Sequence, residues 1–253
     1  MPWRRGPPPA FNLGTSLRLD SLTPEQAEWL KPQLGKLLGL GALQEARHPA
    51  RWVSRAFLVP KPNGAGWRLV FDLRYLNQFC KTMRLEMETL KRLRLLARRD
   101  DWMVSFDLAD GFYHVGIHEA DRKYFQVAIA GQLYEFAALP MGWNLSPAIF
   151  CAVMSVWTTW ARAPAAVEAR AAGRRHAKDH RPLVFDPGPE GRACWRRLRR
   201  SGVRILPYVD DFLILGTSPE ETRVAQAAVY AALDQLGIAR HPTKGWQEPT
   251  QVR

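Results

Sequence analysis

The sequence predicts an α+β fold, because stretches with the two-residue periodicity of strands and stretches with helical spacing follow one another along its 253 residues. Two strand-like runs, Trp52–Pro60 and Trp67–Leu73, flank a turn rich in Pro, Asn and Gly, which predicts a hairpin. Ser146 followed by Pro147 is a typical helix start, and this helix is expected to run to about Trp160. Hydrophobic residues make up 47% of the chain, enough for a core, which excludes global disorder.

The other elements follow from helix capping and from alternation of apolar residues. A first helix begins behind Thr23, where Pro24 and Gln26 complete the start signal, and it ends at Gly39 and Gly41. Further helices are predicted at Leu85–Arg99 and Pro219–Leu236, and further strands at Met103–Leu108, Tyr124–Ala130, Leu133–Leu139, Val203–Val209 and Phe212–Leu215. Together these segments predict hairpins with helices between them.

Charge is the unusual feature of the composition. The chain holds 36 Lys and Arg against 24 Asp and Glu, a net charge of +12, and 28 of the basic residues are Arg. Because the Arg guanidinium matches phosphate with paired hydrogen bonds, the excess is consistent with a polyanionic partner. A solvated Arg-rich surface would give the same count. Two-thirds of the excess, +8, lies in residues 151–206.

Composition also excludes several classes of protein. Three Cys far apart in the sequence do not form a disulfide scaffold or a metal motif, and they fit a reducing compartment. No apolar run reaches the roughly 18 residues of a membrane span, and the first ten residues are not followed by a secretory apolar stretch. We therefore expect an intracellular protein, in the cytoplasm or nucleus, that is not secreted and has no membrane partner.

The sharpest candidate for chemistry is a pair of adjacent carboxylates, Asp210 and Asp211, between two apolar runs. Such a pair suits a hairpin turn, which is one interpretation. Adjacent carboxylates also repel each other, and magnesium, which prefers hard oxygen ligands, would neutralise them. Asp107 ends another predicted strand, on the face opposite its apolar residues. If these strands are neighbours, the three carboxylates could hold two metal ions about 4 Å apart for phosphoryl transfer.

Five blocks in a fixed order resemble the reverse transcriptase domain of retroelements, over roughly residues 22–253. They are Ser54–Asn77, which is similar to the fingers hairpin; Ser105–His114, the first palm motif; Leu139–Phe150, the template- and nucleotide-positioning motif; Tyr208–Asp211, the second metal motif; and Leu236–Lys244, the motif after it. Within the family, Glu86–Leu90, Asp101–Met103 and His118–Tyr124 most resemble DIRS-type elements, with gypsy-type elements as the nearest alternative.

The resemblance implies a right-hand polymerase fold of fingers and palm, in which helices back an antiparallel palm sheet. Residues 1–21 are expected to form a flexible, basic and Pro-rich lead-in to a reverse transcriptase domain over 22–253. The fingers would occupy about 22–102 and 115–150, the palm about 103–114 and 145–253, and a basic insertion about 161–200. The insertion would either bind nucleic acid or be solvated. A thumb is expected to be absent or truncated.

The resemblance also assigns the residues of the palm site. Asp107, Asp210 and Asp211 are the expected catalytic residues and metal ligands, with the backbone carbonyl of Leu108 as a further ligand, for two Mg²⁺ or for Mn²⁺ as a substitute. Lys244 resembles the lysine proposed to act as general acid on the leaving pyrophosphate, and a solvated lysine is the alternative.

A second group of residues is expected to bind nucleotide and template. The nucleotide-binding residues are Lys61, Arg68, Phe112, Met141 and Gly142, and the template-binding residue is Arg74. Lys61 and Arg68 would neutralise the triphosphate, and Phe112 would fill the space that a 2′-hydroxyl needs. An exposed hairpin tip and a core aromatic are the simpler interpretations. Met141 replaces a glutamine of retroviral enzymes, so contacts there would be apolar.

The implied function is RNA-directed DNA polymerisation, in which a primer 3′-hydroxyl attacks the α-phosphate of a deoxynucleotide. The implied partners are an RNA or DNA template with its primer and deoxynucleoside triphosphates. One alternative is an inert or domesticated fragment that binds nucleic acid without turnover. Another is a two-metal nuclease, which would have no use for Lys61, Arg68 and Phe112.

Overall fold

A computed structural model describes residues 1–12, 16–62, 64, 66–85, 87, 90–161 and 204–251. Strands and helices are interspersed along this part of the chain, which confirms the predicted α+β class. The chain divides into two compact units, one formed by Met1–Arg84 with Phe112–Ala148, the other by Leu85–Gly111 with Ile149–Arg253. The boundaries expected for fingers, palm and lead-in stay predictions.

In chain order the described strands are β1 (Phe11–Asn12), β2 (Leu43–Glu45), β3 (Trp52–Pro60), β4 (Trp67–Asp72), β5 (Trp102–Asp107), β6 (Gln126–Ile129), β7 (Gln132–Phe136), β8 (Arg204–Tyr208), β9 (Asp211–Gly216) and β10 (Thr250–Gln251). The described α-helices are α1 (Pro24–Gly39), α2 (Arg74–Asn77), α3 (Leu90–Leu96), α4 (Glu119–Arg122), α5 (Ser146–Ala161) and α6 (Pro219–Gln235). Short 3₁₀ helices lie at Leu19–Ser21 and Gly111–His114.

The first unit is built on a six-stranded sheet with the order β1-β3-β6-β7-β2, in which β4 pairs additionally with β3. The β3–β4 pairing is antiparallel and runs from Arg55 opposite Asp72 to Pro60 opposite Trp67, which forms the predicted hairpin. Helix α1 begins with the predicted capping box, because the Thr23 hydroxyl accepts from the Gln26 N–H at 3.2 Å and the Gln26 amide accepts from the Thr23 N–H at 2.9 Å.

Described residues near the chain start make contacts with this unit. The Trp3 ring meets Tyr124 edge-on with centroids 4.9 Å apart, and Arg4 donates to the Cys80 carbonyl at 2.8 Å. Strand β1 pairs in parallel with the start of β3. The aromatic contacts of Trp3 and the pairing of β1 are therefore the observed attachments of this segment, and its expected flexibility stays a prediction.

The second unit contains a four-stranded antiparallel sheet with the order β10-β5-β9-β8. Helix α6 packs against β5 and β9. The predicted alternation in β5 is correct, because Val104 and Phe106 are almost fully buried and Phe106 stacks on Phe212 of β9 with centroids 5.0 Å apart. This buried layer fixes the position of the strand end that carries Asp107.

Two predicted elements differ from the structure. Of the helix expected over Leu85–Arg99, the structure describes Leu90–Leu96, and the chain then turns at residues 99–100, where Asp100 has φ of 65°. The basic insertion lies almost entirely in residues 162–203, outside the described part of the chain. Among the described helices, none is long and apolar enough to cross a membrane.

Candidate active site

Strand pairing brings the three predicted carboxylates to one end of the second unit's sheet. Strands β5 and β9 are antiparallel, and their register places Asp107 directly opposite Asp211. Asp210 lies in the turn just before Asp211, and its backbone carbonyl accepts a hydrogen bond from the Leu108 N–H at 2.9 Å. Asp107 and the Asp210–Asp211 pair, far apart in the sequence, are therefore neighbours in the fold, as a shared site requires.

The turn that carries Asp210 holds its first residue in an unfavourable backbone conformation. Tyr208 pairs with Asp211, so Val209 and Asp210 form a two-residue hairpin loop. Val209 has φ of 58°, in the left-handed region that branched side chains rarely adopt. Strain of this kind persists where the surroundings determine the conformation, and it concentrates at functional sites. Here it presents two successive carboxylates beside the end of β5.

The negative charges of the cluster are only partly compensated. Asp107 is buried, with 6% of its surface exposed, whereas Asp211 is exposed. Partial burial of the Asp211 carboxyl, together with the charges of Asp107 and Asp210, raises its pKa, and the Lys244 ammonium opposes this shift. Such a shift marks a carboxylate held close to like charges, which is common where a cation or substrate is bound.

A glycine keeps space beside Asp210. A Cβ built on Gly111 would lie 3.1 Å from the Phe150 ring and 3.5 Å from the Asp210 Cβ. A Cβ at this position would be in ordinary contact with Asp210 but tight against the buried Phe150 ring, which would have to shift by a few tenths of an ångström. Sequence reasoning treated Gly111 as part of a motif and did not identify this spacing role.

Lys244 is bound to the cluster. Its Nζ lies 2.7 Å from the Asp107 Oδ2, and this hydrogen bond with the Asp107 charge raises the pKa of Lys244. The chain around Lys244 runs beside β5: the His241 N–H donates to the Asp107 carbonyl at 2.7 Å, and the Trp246 N–H donates to the Ser105 hydroxyl at 2.9 Å. Lys244 is therefore paired with Asp107, although its side chain is 62% exposed.

The donor chemistry of the cluster fits a hard divalent cation. Three carboxylates and a nearby backbone carbonyl are the oxygen ligands that magnesium and manganese prefer. In the described part of the chain, however, no three His, Cys, Asp or Glu side chains are arranged as a ready metal-binding group. One of the three carboxylates is instead engaged by Lys244.

The predicted nucleotide clamp belongs to the first unit. Lys61 and Arg68 are both exposed: Lys61 directly follows β3 in the turn of the hairpin, and Arg68 lies in β4 opposite Val59. The Lys61 N–H closes the turn by donating to the Gly66 carbonyl at 2.9 Å. The hairpin therefore carries two cations near one end, and their role as a nucleotide clamp stays a prediction.

The other predicted binding residues of this unit are held by local contacts. Arg74 forms two hydrogen bonds of 2.8 Å with the Asp72 carboxylate and remains 84% exposed. Gly142 has φ of +96°, and a Cβ there would lie 2.9 Å from the Phe71 carbonyl. Met141 is 51% exposed, and Phe112 is half-buried in the 3₁₀ helix Gly111–His114.

Asn77 supports the loop that contains Met141 and Gly142, and sequence reasoning gave it no role of its own. Its amide donates to the Gly142 carbonyl at 2.9 Å, and its side-chain oxygen accepts from the Asn144 N–H at 3.0 Å. The two contacts span 65 and 67 residues of sequence, so local patterns could not have indicated them. They hold the loop in one conformation.

The chain is similar to a reverse transcriptase family model and to polyproteins of retroviruses. A family model described as reverse transcriptase (RNA-dependent DNA polymerase) matches residues 59–251. The Gag-Pro-Pol polyprotein of Human T-cell leukemia virus 2 is 24% identical over 237 residues, which are 91% of this chain and 14% of the polyprotein. The Gag-Pol polyprotein of Avian leukosis virus subgroup A is also 24% identical, over 88% of this chain and 12% of that protein. The chain thus spans less than a fifth of these relatives.

Solved structures share the fold. Native prototype foamy virus protease-reverse transcriptase superposes with a TM-score of 0.67 at 19% identity, over 97% of this chain and 26% of that one. The foamy viral protease-reverse transcriptase in complex with double-stranded DNA gives 0.66 at 18% identity, over 95% of this chain and 34% of that one. At these identities the similarity establishes the architecture, a mixed α+β arrangement consistent with fingers and palm.

Proposed function

Because the chain belongs to the reverse transcriptase (RNA-dependent DNA polymerase) family, we propose that it adds deoxynucleotides to a primer 3′-hydroxyl on an RNA or DNA template. One structural observation carries the proposal: Asp107 is paired with Asp211 across two strands, and Asp210 lies beside them in the turn. In a two-metal phosphoryl transfer, carboxylates from two neighbouring strands can hold cations at the attacking and at the leaving oxygen.

The residues that would hold the metal ions are Asp107, Asp210 and Asp211, with the Leu108 carbonyl as a further ligand. Reverse transcriptases use divalent cations, and we propose two Mg²⁺, for which Mn²⁺ can substitute. When bound, such ions activate the attacking hydroxyl and stabilise the leaving oxygen. The raised pKa of Asp211 is consistent with this assignment, because partial burial first, and then the charges of Asp107 and Asp210, disfavour its ionised form, which a bound cation would favour.

The chain's own cations would bind the triphosphate. Lys61 and Arg68 are exposed on the β3–β4 hairpin, where long basic side chains can approach a phosphate without first breaking a buried contact. Arg74 is also exposed, and its contact with Asp72 would hold the guanidinium in a fixed orientation toward the template backbone.

The apolar residues would position the sugar. We propose that the ring of Phe112 lies beneath the deoxyribose and leaves no room for a 2′-hydroxyl. The loop at Met141 and Gly142 would line the nucleotide, and Asn77 would keep that loop in place. Since a thioether makes only weak hydrogen bonds, contacts from Met141 would be apolar.

Primer extension by the purified chain tests the proposal. The wild type should extend a labelled primer on an RNA template in Mg²⁺, and Asp210→Asn should abolish extension while its thermal unfolding is nearly unchanged. Asp20→Asn is a matched control, because it makes the same chemical change at an exposed carboxylate that pairs with Arg18. Equal extension by Asp210→Asn and wild type would refute the proposal. Binding of primer–template without any incorporation would favour a nucleic-acid-binding module instead.

A further inference from the structure

We propose that Lys244 is an intramolecular counter-cation of the carboxylate cluster, which must leave Asp107 before that carboxylate can bind a divalent ion. The inference rests on the proposed function, because it takes Asp107 as a metal ligand. It adds that the apparent affinity for metal is lowered by a competing ammonium that belongs to the chain itself.

The contact between the two side chains is strongly asymmetric. The Lys244 Nζ lies 2.7 Å from the Asp107 Oδ2, but the lysine side chain is 62% exposed and the aspartate side chain only 8%. A nearly buried carboxylate is costly without a cation beside it, whereas an exposed ammonium is readily rehydrated. Asp107 therefore needs a cation beside it, and the exposed ammonium of Lys244 can be replaced by a different cation.

The chain around Lys244 is shaped to place the ammonium at this position. Gly245 has φ of +88°, and a Cβ there would lie 2.3 Å from the Ser105 carbonyl oxygen, so only glycine allows the chain to lie this close to β5. The ring Nδ1 of His241 accepts from the N–H groups of Thr243 and Lys244, each at 3.3 Å. These contacts fix the backbone on both sides of Lys244 while its side chain stays exposed.

The charge balance explains why Lys244 and a metal ion would exclude each other. The ammonium offsets one of three clustered negative charges, and a divalent ion at the same carboxylates would offset two. Held together within a few ångströms, the ammonium and the ion would repel each other. Lys244 would then turn outward into solvent, for which its exposed side chain has room.

Manganese binding to five forms of the chain, the wild type and four variants, measured by electron paramagnetic resonance of the free ion, tests this inference. Lys244→Met should bind Mn²⁺ about tenfold more tightly than wild type, because the competing charge is gone. Lys244→Arg retains the charge and should bind like wild type. Lys31→Met is the matched control, since it removes one cation paired with Glu28 on helix α1 and should leave Mn²⁺ binding unchanged.

The outcomes separate this inference from the proposed function. Equal or weaker binding by Lys244→Met would overturn the counter-cation role and leave the metal site intact. Binding by Asp210→Asn that equals wild type would instead refute the carboxylates as the metal site.

A second measurement uses wild-type protein and so does not depend on the folding of a variant. Lys244 and Lys31 are acetylated by acetic anhydride, and mass spectrometry follows both rates in chelator and in Mn²⁺. The rate at Lys244 should rise at least about twofold in Mn²⁺, because the released amine loses its ion pair. The rate at Lys31 should stay constant. An unchanged rate at Lys244 on saturation with Mn²⁺ would overturn the inference.

Discussion

The two ends of strand β5 carry aspartates in opposite electrostatic situations. Asp101 lies just before the strand and is 4% exposed. The Arg204 guanidinium donates to both of its oxygens, at 2.6 and 2.8 Å, and the Arg98 N–H adds a bond of 2.6 Å. Burial alone would raise the pKa of Asp101, but the hydrogen bonds and charge of Arg204 outweigh it and hold the pKa below its ordinary value.

Asp107, at the other end, lies beside Asp210 and Asp211, and Lys244 makes one contact with it from an exposed position. Burial and the two neighbouring charges raise the pKa of Asp211 instead of lowering it. The same strand therefore has at one end an aspartate with several strong partners and at the other an aspartate in a cluster of three carboxylates, for which we propose a cation-binding role. We therefore use the partners of each carboxylate to distinguish Asp101, as a structural residue, from the proposed functional carboxylates.

The largest expected difference between the two ends of β5 is in primer extension, when one carboxylate charge is removed at each end in turn. Asp107→Asn should lower primer extension at least about 100-fold, because a metal ligand supplies several kcal/mol of transition-state stabilisation. Asp101→Asn, at a temperature where it is folded, should extend primers at a rate close to wild type. Similar losses in both variants would remove the distinction between the two ends.

Arg204→Met should have the largest effect on stability. It leaves Asp101 buried without its cation, and the free energy of unfolding in urea should fall by about 3 kcal/mol. The double variant with Asp101→Asn should recover part of this loss, since no buried charge then remains. Arg18→Met, which breaks an exposed pair, should unfold like wild type. A similarly small effect for Arg204→Met would show that the buried pair contributes little.

Backbone strain also differs between the two ends of β5, and it is greater beside the carboxylate cluster. Asp100 and Val209 both have positive φ, 65° and 58°, but aspartate tolerates this region and a branched valine does not. Val209→Gly should therefore stabilise the chain by about 1 kcal/mol in thermal unfolding, and Asp100→Gly by less. A loss of stability in Val209→Gly would mean that the valine side chain contributes more than its strain costs.

The smallest effect should be a pH dependence of opposite sign at the two ends. The folded pKa of Asp101 is lowered, so its contribution to stability is present above the unfolded value of about 3.9 and is lost as the pH falls through the folded value. The folded pKa of Asp211 is raised, so its charge lowers stability increasingly as the pH rises through that value.

Thermal unfolding between pH 3 and 8 in chelator measures this difference. At pH 7, Asp101→Asn should unfold below wild type and Asp211→Asn slightly above it, by less than about 1 kcal/mol because Asp211 is exposed to solvent. Both differences should shrink toward low pH. A stabilising effect of Asp101→Asn at pH 7 would reverse the assignment of the two ends.

Local elements could be predicted from the sequence because their signals are local. The bounds of β3, the capping box of α1 and the start of α6 agree with the structure, since each depends on alternation or on capping residues a few positions apart. The short strands β1, β2 and β10 were not predicted. Their two or three residues carry no period, and pairing with distant strands defines them.

The candidate site also contains some residues that sequence motifs predict and some contacts that only the structure shows. The family motifs identified Asp107, Asp210 and Asp211, and the family prediction is confirmed. The contact of Lys244 with Asp107 joins residues 137 positions apart, and the role of Gly245 depends on its approach to Ser105. The contact and the close approach could not be predicted from composition or spacing, because each joins residues that only the folded chain brings together. The assignment to DIRS-type or gypsy-type elements stays a prediction.

Incorporation of a single nucleotide on RNA templates that differ in one base tests the central claim most directly. We expect wild type and Asp101→Asn to add only the deoxynucleotide complementary to the template base in Mg²⁺, and Asp107→Asn to add none. Incorporation that ignores the template base, or that proceeds equally in Asp107→Asn, would contradict the assignment of templated polymerisation to the carboxylate end of β5.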